Sequence, residues 1–130
     1  MTIFSKIIAG EIPSYKVAEN SQFYAFLDIF PLAKGHVLVV PKKEVDYLFD
    51  LDDEILRDMM VFCKQVAKAM KKAIPCKRIG LTVIGLEVPH AHIHLIPITK
   101  ESDIHFGNKK QTFSSEEFIE IAASIVKNFE

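Results

Sequence analysis

The chain has 130 residues, of which 49% are hydrophobic and 25% charged, and its 16 basic side chains nearly balance 17 acidic ones at a formal net charge of −1. That length suits a single domain over residues 1–130 with its own core, and the charge balance excludes the broad basic surface of a nucleic-acid-binding protein. No uncharged run approaches the length that spans a bilayer, so neither nucleic acid nor membrane is expected as a partner.

The first element, "TIFSKIIAGEIP", reads as a short helix. Thr2 can cap it, Phe4, Ile7 and Ile8 share a side, and Gly10 with Pro13 ends it. It lacks a basic leader before a long apolar core, so the expectation is a cytoplasmic protein without a signal peptide. "YKVAE" and "FYAFLDI" follow as strands around the turn "NSQ". "FPLAKG" connects them to "HVLVVP", a strand whose composition predicts burial on both faces.

The longest helix is predicted from Asp52 to Ile74. Its acidic start and its Lys71–Lys72 end both suit the helix dipole, and Pro75 stops it. Ile55, Met59, Phe62, Val66 and Met70, with Leu56, Met60, Cys63 and Ala67, form a wide apolar stripe. Cys63 and Cys76 lack a C-x-x-C pairing and read as reduced thiols. "RIGLTVIG" and "VPHAHIHLIPI" are two further strands. A final helix opens on the capping box Ser114-x-x-Glu117 and aligns Phe118, Ile121, Ile125 and Phe129. Short turns between neighbouring strands predict an α+β domain, an antiparallel sheet of about five strands covered by helices on one side.

Three of the five histidines, His90, His92 and His94, occupy alternate positions. On a strand they would project together from the accessible face, while Ala91, Ile93 and Leu95 pack under the helices. Alternate side chains stand about 6.5–7 Å apart, so two could share a zinc with His36 or His105, leaving the third idle. A wet strand face is a weaker account, since strands favour β-branched and aromatic residues. A catalytic row employs all three: neutral imidazole is a nucleophile, and neighbouring imidazoles can hold the charge on a phosphate.

The run His90-Ala-His92-Ile-His94-Leu-Ile resembles the signature of the histidine-triad (HIT) family. "IFSKIIAGEIPSYKVAE" and "FLDIFPLAKGHVLVVPKK" stand in the family's order and at similar spacings, so the resemblance covers roughly residues 2 to 98. It implies a HIT-like fold, a metal-independent nucleotide hydrolase or transferase with no required cofactor, a purine nucleotide substrate and a homodimer. By position it implies His92 as nucleophile at the α-phosphorus, His94 and His36 on phosphate oxygens, and His90 beside the nucleophile. It further implies Asp28 on the ribose hydroxyls and Phe4, Ile7, Phe26 and Ile29 around the base. There is a departure: where many members carry glutamine and then serine or threonine before the first histidine, this chain has Leu86 and Glu87. Glu87 would be a neighbour of the phosphate or leaving group. That substitution keeps a second reading open, a nucleotide sensor with weak or no turnover.

Overall fold

The computed structural model describes residues 1–129. Helix α1 (Ile3–Ile8) starts at Thr2, whose side chain accepts the Ser5 N–H. Strands β1 (Lys16–Glu19), β2 (Phe23–Leu27) and β3 (Val37–Pro41) follow, then helix α2 (Asp53–Ala73). Strands β4 (Arg78–Thr82) and β5 (Ile93–Ile98) and helix α3 (Ser115–Lys127) complete the fold. The sequence signals set these helix ends: Asp52 caps α2, and Ser114 and Glu117 make the predicted capping box of α3.

The five strands form one antiparallel sheet in the order β1-β2-β3-β5-β4, giving the expected α+β architecture. On one face Phe23, Ala25, Leu27, Val37, Val39, Ile93 and Leu95 meet Met59, Phe62, Val66 and Met70 of α2 and Phe118, Ile121 and Ile125 of α3. Burial of each such side chain contributes about 1.5–3 kcal/mol. The apolar stripe of α2 is narrower than its sequence suggests, for Met60 is exposed.

The helices do not all lie on one side. Helix α1 covers the opposite face, where Phe4 and Ile7 pack with Tyr24, Phe26, Leu38 and Val40. The alternation within β2 and β3 therefore serves two apolar layers, and that is why both strands are buried at every position. Gly35 turns the chain into β3. Its φ of +87° is strained for any other residue, and an added Cβ would lie 2.9 Å from Ile74 at the end of α2. Among the described residues no helix is long and apolar enough to cross a membrane.

Candidate active site

The face under α1 also carries the histidines. Regular pairing of β5 begins only at Ile93, and β4 ends at Thr82, so both strands are shorter than predicted. His94 lies in the ladder, opposite Leu38 and Thr82. His90 and His92 precede it in a bend after Pro89, where His90 N–H donates to Val88 O and Ala91 N–H to Val45 O. The alternation survives this break, because Ala91, Ile93 and Leu95 all enter the core below.

The expectation of an accessible row is corrected by burial. His36 and His90 are 1% and 0% exposed and His92 and His94 7% each, because α1 and the segment after β5 cover them. The ring of Phe4 stands edge-on to His92 at 5.1 Å and to His90 at 5.7 Å between centroids. From the other side Phe106 approaches His94 at 4.8 Å.

Hydrogen bonds define the tautomers. Leu32 N–H donates to His36 Nδ1 at 3.0 Å, so the ring proton of neutral His36 is on Nε2. That Nε2–H donates to His94 Nδ1 at 3.0 Å and leaves the proton of His94 on its own Nε2. Burial, reinforced by the Lys110 charge, lowers the pKa of His36 to about 3. Burial also brings His94 to about 3, assisted by His36, His92 and Lys110 and opposed by Asp28. Both rings are thus neutral donors. At the triad's centre, His92 Nδ1–H donates to the carbonyl of His90 at 2.8 Å, and Nε2 is left with its lone pair. No buried side-chain nitrogen or oxygen among the described residues lacks a partner, so the unpaired Nε2 atoms of His92 and His94 reach open space. Their ring centroids are 5.0 Å apart, close enough for one phosphate to meet a lone pair and a donor together.

Asp28 lies just beyond β2, and its N–H donates to His36 O. Its Oδ1 accepts Phe30 N–H at 2.8 Å, a turn-forming bond, while Oδ2 stands 3.5 Å from His36 Nε2. Phe4, Ile7 and Phe26 form one apolar cluster beside the histidines; Ile29 is outside it and 56% exposed. Glu87 is exposed, and Leu86 is 87% exposed. Asp28, His36 and His94 each offer a ligand atom, all within 4.8 Å of one another. The Leu32 bond, however, makes His36 Nε2 present a hydrogen, not a lone pair, so the trio suits hydrogen bonding better than a cation. His105, the other candidate for a zinc, is exposed and stands outside this group.

Sequence reasoning passed over several neighbours. Phe106 and Lys110 arrive from a segment without periodicity, Lys110 Nζ donating to Phe106 O at 2.7 Å. Thr2 was legible as a cap, but its 2.7 Å contact with His90 Nδ1 links positions with no sequence relation. Nor could any pattern predict the carbonyl of Pro41, which accepts His90 Nε2–H at 2.8 Å.

The chain is similar to several known proteins along much of its length. The family described as HIT domain matches residues 9–101. An uncharacterised HIT-like protein of Borreliella burgdorferi is 38% identical over 97% of this chain and 96% of its own length. The adenosine 5′-monophosphoramidase HNT1 of Saccharomyces cerevisiae is 47% identical over 73% of this chain, which spans 61% of that protein. Among solved structures, a HIT-like protein of Bartonella henselae superposes with a TM-score of 0.84 at 35% identity, covering 98% of this chain and 96% of that one.

Proposed function

The chain belongs to the histidine-triad family, and from that premise we propose that it is a metal-independent hydrolase of nucleoside phosphoramidates or dinucleoside polyphosphates. The observation that carries this reading is the tautomer of His92: a ring anchored through Nδ1–H, with the Nε2 lone pair open beside a neutral donor on His94. His92 Nε2 attacks the α-phosphorus, forming a P–N bond as the bond to the leaving amine or phosphate breaks. A leaving amine takes up a proton from water as it departs, and a leaving phosphate departs as its anion. Water then attacks the nucleotidyl-histidine, the P–N bond breaks, and a nucleoside monophosphate is released. The Nε2–H of His94 donates to a phosphate oxygen, with His36 behind it keeping that tautomer. Asp28 accepts from the ribose hydroxyls, and Phe4, Ile7, Phe26 and Ile29 flank a purine. Similarity to the yeast phosphoramidase supports adenosine as the nucleoside.

The test is release of AMP from adenosine 5′-phosphoramidate and from diadenosine tetraphosphate, in excess chelator, by the wild type and His92→Ala. Turnover that survives the chelator and falls by about a thousandfold or more in the variant is the expected result. A second reading, a sensor that binds the nucleotide without turnover, is favoured by the outward Leu86 and Glu87, which bring no side chain to the leaving group. AMP binding with no adduct trapped on His92 in a single turnover would select it.

The same proposal includes a cytoplasmic setting for a chain whose Cys63 and Cys76 are free thiols. It also includes a homodimer. Met60 and Val61 of α2, Leu81 of the edge strand β4, and Val83 and Ile84 beyond it are all exposed apolar residues, fitting a second copy laid across α2 and β4.

A further inference from the structure

The ring of His90 has no role in the steps above; only its carbonyl does, by fixing His92. Yet that ring is fully buried and bonded at both nitrogens. Nε2–H donates to Pro41 O, so Nδ1 of the neutral ring accepts the Thr2 hydroxyl at 2.7 Å. From Thr2 the contacts continue outward. Thr2 Oγ1 is 3.2 Å from Ser5 Oγ, and the Ser5 hydroxyl donates to Glu44 Oε1 at 2.7 Å. The same carboxylate oxygen accepts Thr2 N–H at 2.7 Å. Glu44 itself is exposed. A row of hydroxyls thus joins a surface carboxylate to a ring inside the site.

We propose that Glu44 is a positioning residue for the nucleophile, acting on His90 through Ser5 and Thr2. The inference rests on the reading of His92 as the attacking group. The row has two internally consistent states. With His90 neutral, the Thr2 hydroxyl donates inward to Nδ1. With His90 protonated, Nδ1–H donates to Thr2 Oγ1, the Thr2 hydroxyl turns to Ser5 Oγ, and the Ser5 hydroxyl stays on Glu44. Each hydroxyl gives one proton and takes one, so a proton leaving Nδ1 is matched by one arriving on the carboxylate, which water then removes. In both states the ring remains clamped between Pro41 and the row, and its carbonyl stays on His92 Nδ1. Burial lowers the pKa of His90 while the Pro41 carbonyl and the Glu44 charge oppose that shift, so removing the charge lowers it further. The other titratable group facing His90 is His92, and the N-terminal amine faces Glu44.

The rival account is that these residues only secure α1, since Thr2 is its N-cap. Two substitutions separate the accounts. Ser5→Ala cuts the row but spares the cap, because the cap uses the Ser5 backbone N–H. Glu44→Gln removes the charge and keeps an acceptor oxygen. Ring nitrogen NMR of the histidines would be followed against pH beside AMP-release kinetics. We expect Glu44→Gln to lower the His90 titration midpoint, because the charge that opposes the burial shift is gone. Both variants should lose about three- to tenfold in kcat with KM within about twofold. Thr2→Ser should retain activity that Thr2→Val loses. His90 ring signals that stay unmoved in Ser5→Ala and Glu44→Gln overturn the proposal whatever the kinetics, and so does an unchanged kcat beside moved signals. A wild type that releases no AMP defeats the nucleotidyl-transfer reading by itself, while the ring titration still decides whether Glu44 governs His90.

Discussion

His36 and His94 bear on stability as well as on chemistry. Each takes up its proton near pH 3 when folded, chiefly because burial strips water from the charged form. Unfolded imidazoles do so near pH 6.5. Between those values the unfolded chain binds more protons, so the stability these neutral rings supply is complete above about pH 6.5 and drains away as pH falls toward 3. Each ring contributes a slope of about 1.4 kcal/mol per pH unit in that window. Urea midpoints should therefore decline steadily from pH 7 to pH 5, and a flat profile would show that the pair is not held neutral.

At the level of elements, the segment following β5 matters more than its composition suggests. Lys110 is, among the described residues, the one cation whose charge acts on both His36 and His94, and it leans on Phe106 with Nζ 5.4 Å from the ring centroid. Removing it by Lys110→Met should raise the KM for diadenosine tetraphosphate about fivefold and that for the phosphoramidate less than twofold, because only the former has a polyanionic leaving group. Steady-state kinetics on the two substrates would check this. Local rules made the helices legible: Thr2 and Ser114 each declare an N-cap, Asp52 opens the acidic start of α2, and the apolar period does the rest. They misread 88–92 as strand because alternation persists there, while Pro89 supplies no N–H and Ala91 bonds to Val45 outside the ladder. The placement of α1 was hidden for another reason. Fully apolar β2 and β3 reveal two covered faces but not which helix covers each. His92, His94, His36 and Asp28 stood out in sequence, whereas Glu44, Ser5, Leu32 and Lys110 reach the site through contacts between distant segments that leave no local pattern.

For the whole molecule, one group of exposed apolar residues, Met60, Val61, Leu81, Val83 and Ile84, lies on and around one free edge of the sheet. Strand β4 ends the sheet and has β5 as its one neighbour, with Leu81 exposed on it and Met60 and Val61 close by on α2. An unpaired edge beside apolar side chains invites another strand, and the proposed second copy would satisfy it in closed form. Leu81→Asp should give a monomer in sedimentation at micromolar concentration, with the fold retained by circular dichroism. A wild type that sediments as a monomer would refute the dimer.

The strand order has a kinetic consequence. The β1-β2-β3 meander and the β4–β5 hairpin each join segments near in sequence, but Val37 meets Leu95 only after α2 and β4 have been spanned. Closing a loop of that size costs on the order of 4 kcal/mol before the contact repays it. Asp28 and His36 ride on the meander and His94 on the hairpin, so neither half holds a site. Regain of activity on refolding should therefore coincide with the docking of β5 on β3 and lag behind helix formation, making turnover a direct reporter of the last folding step.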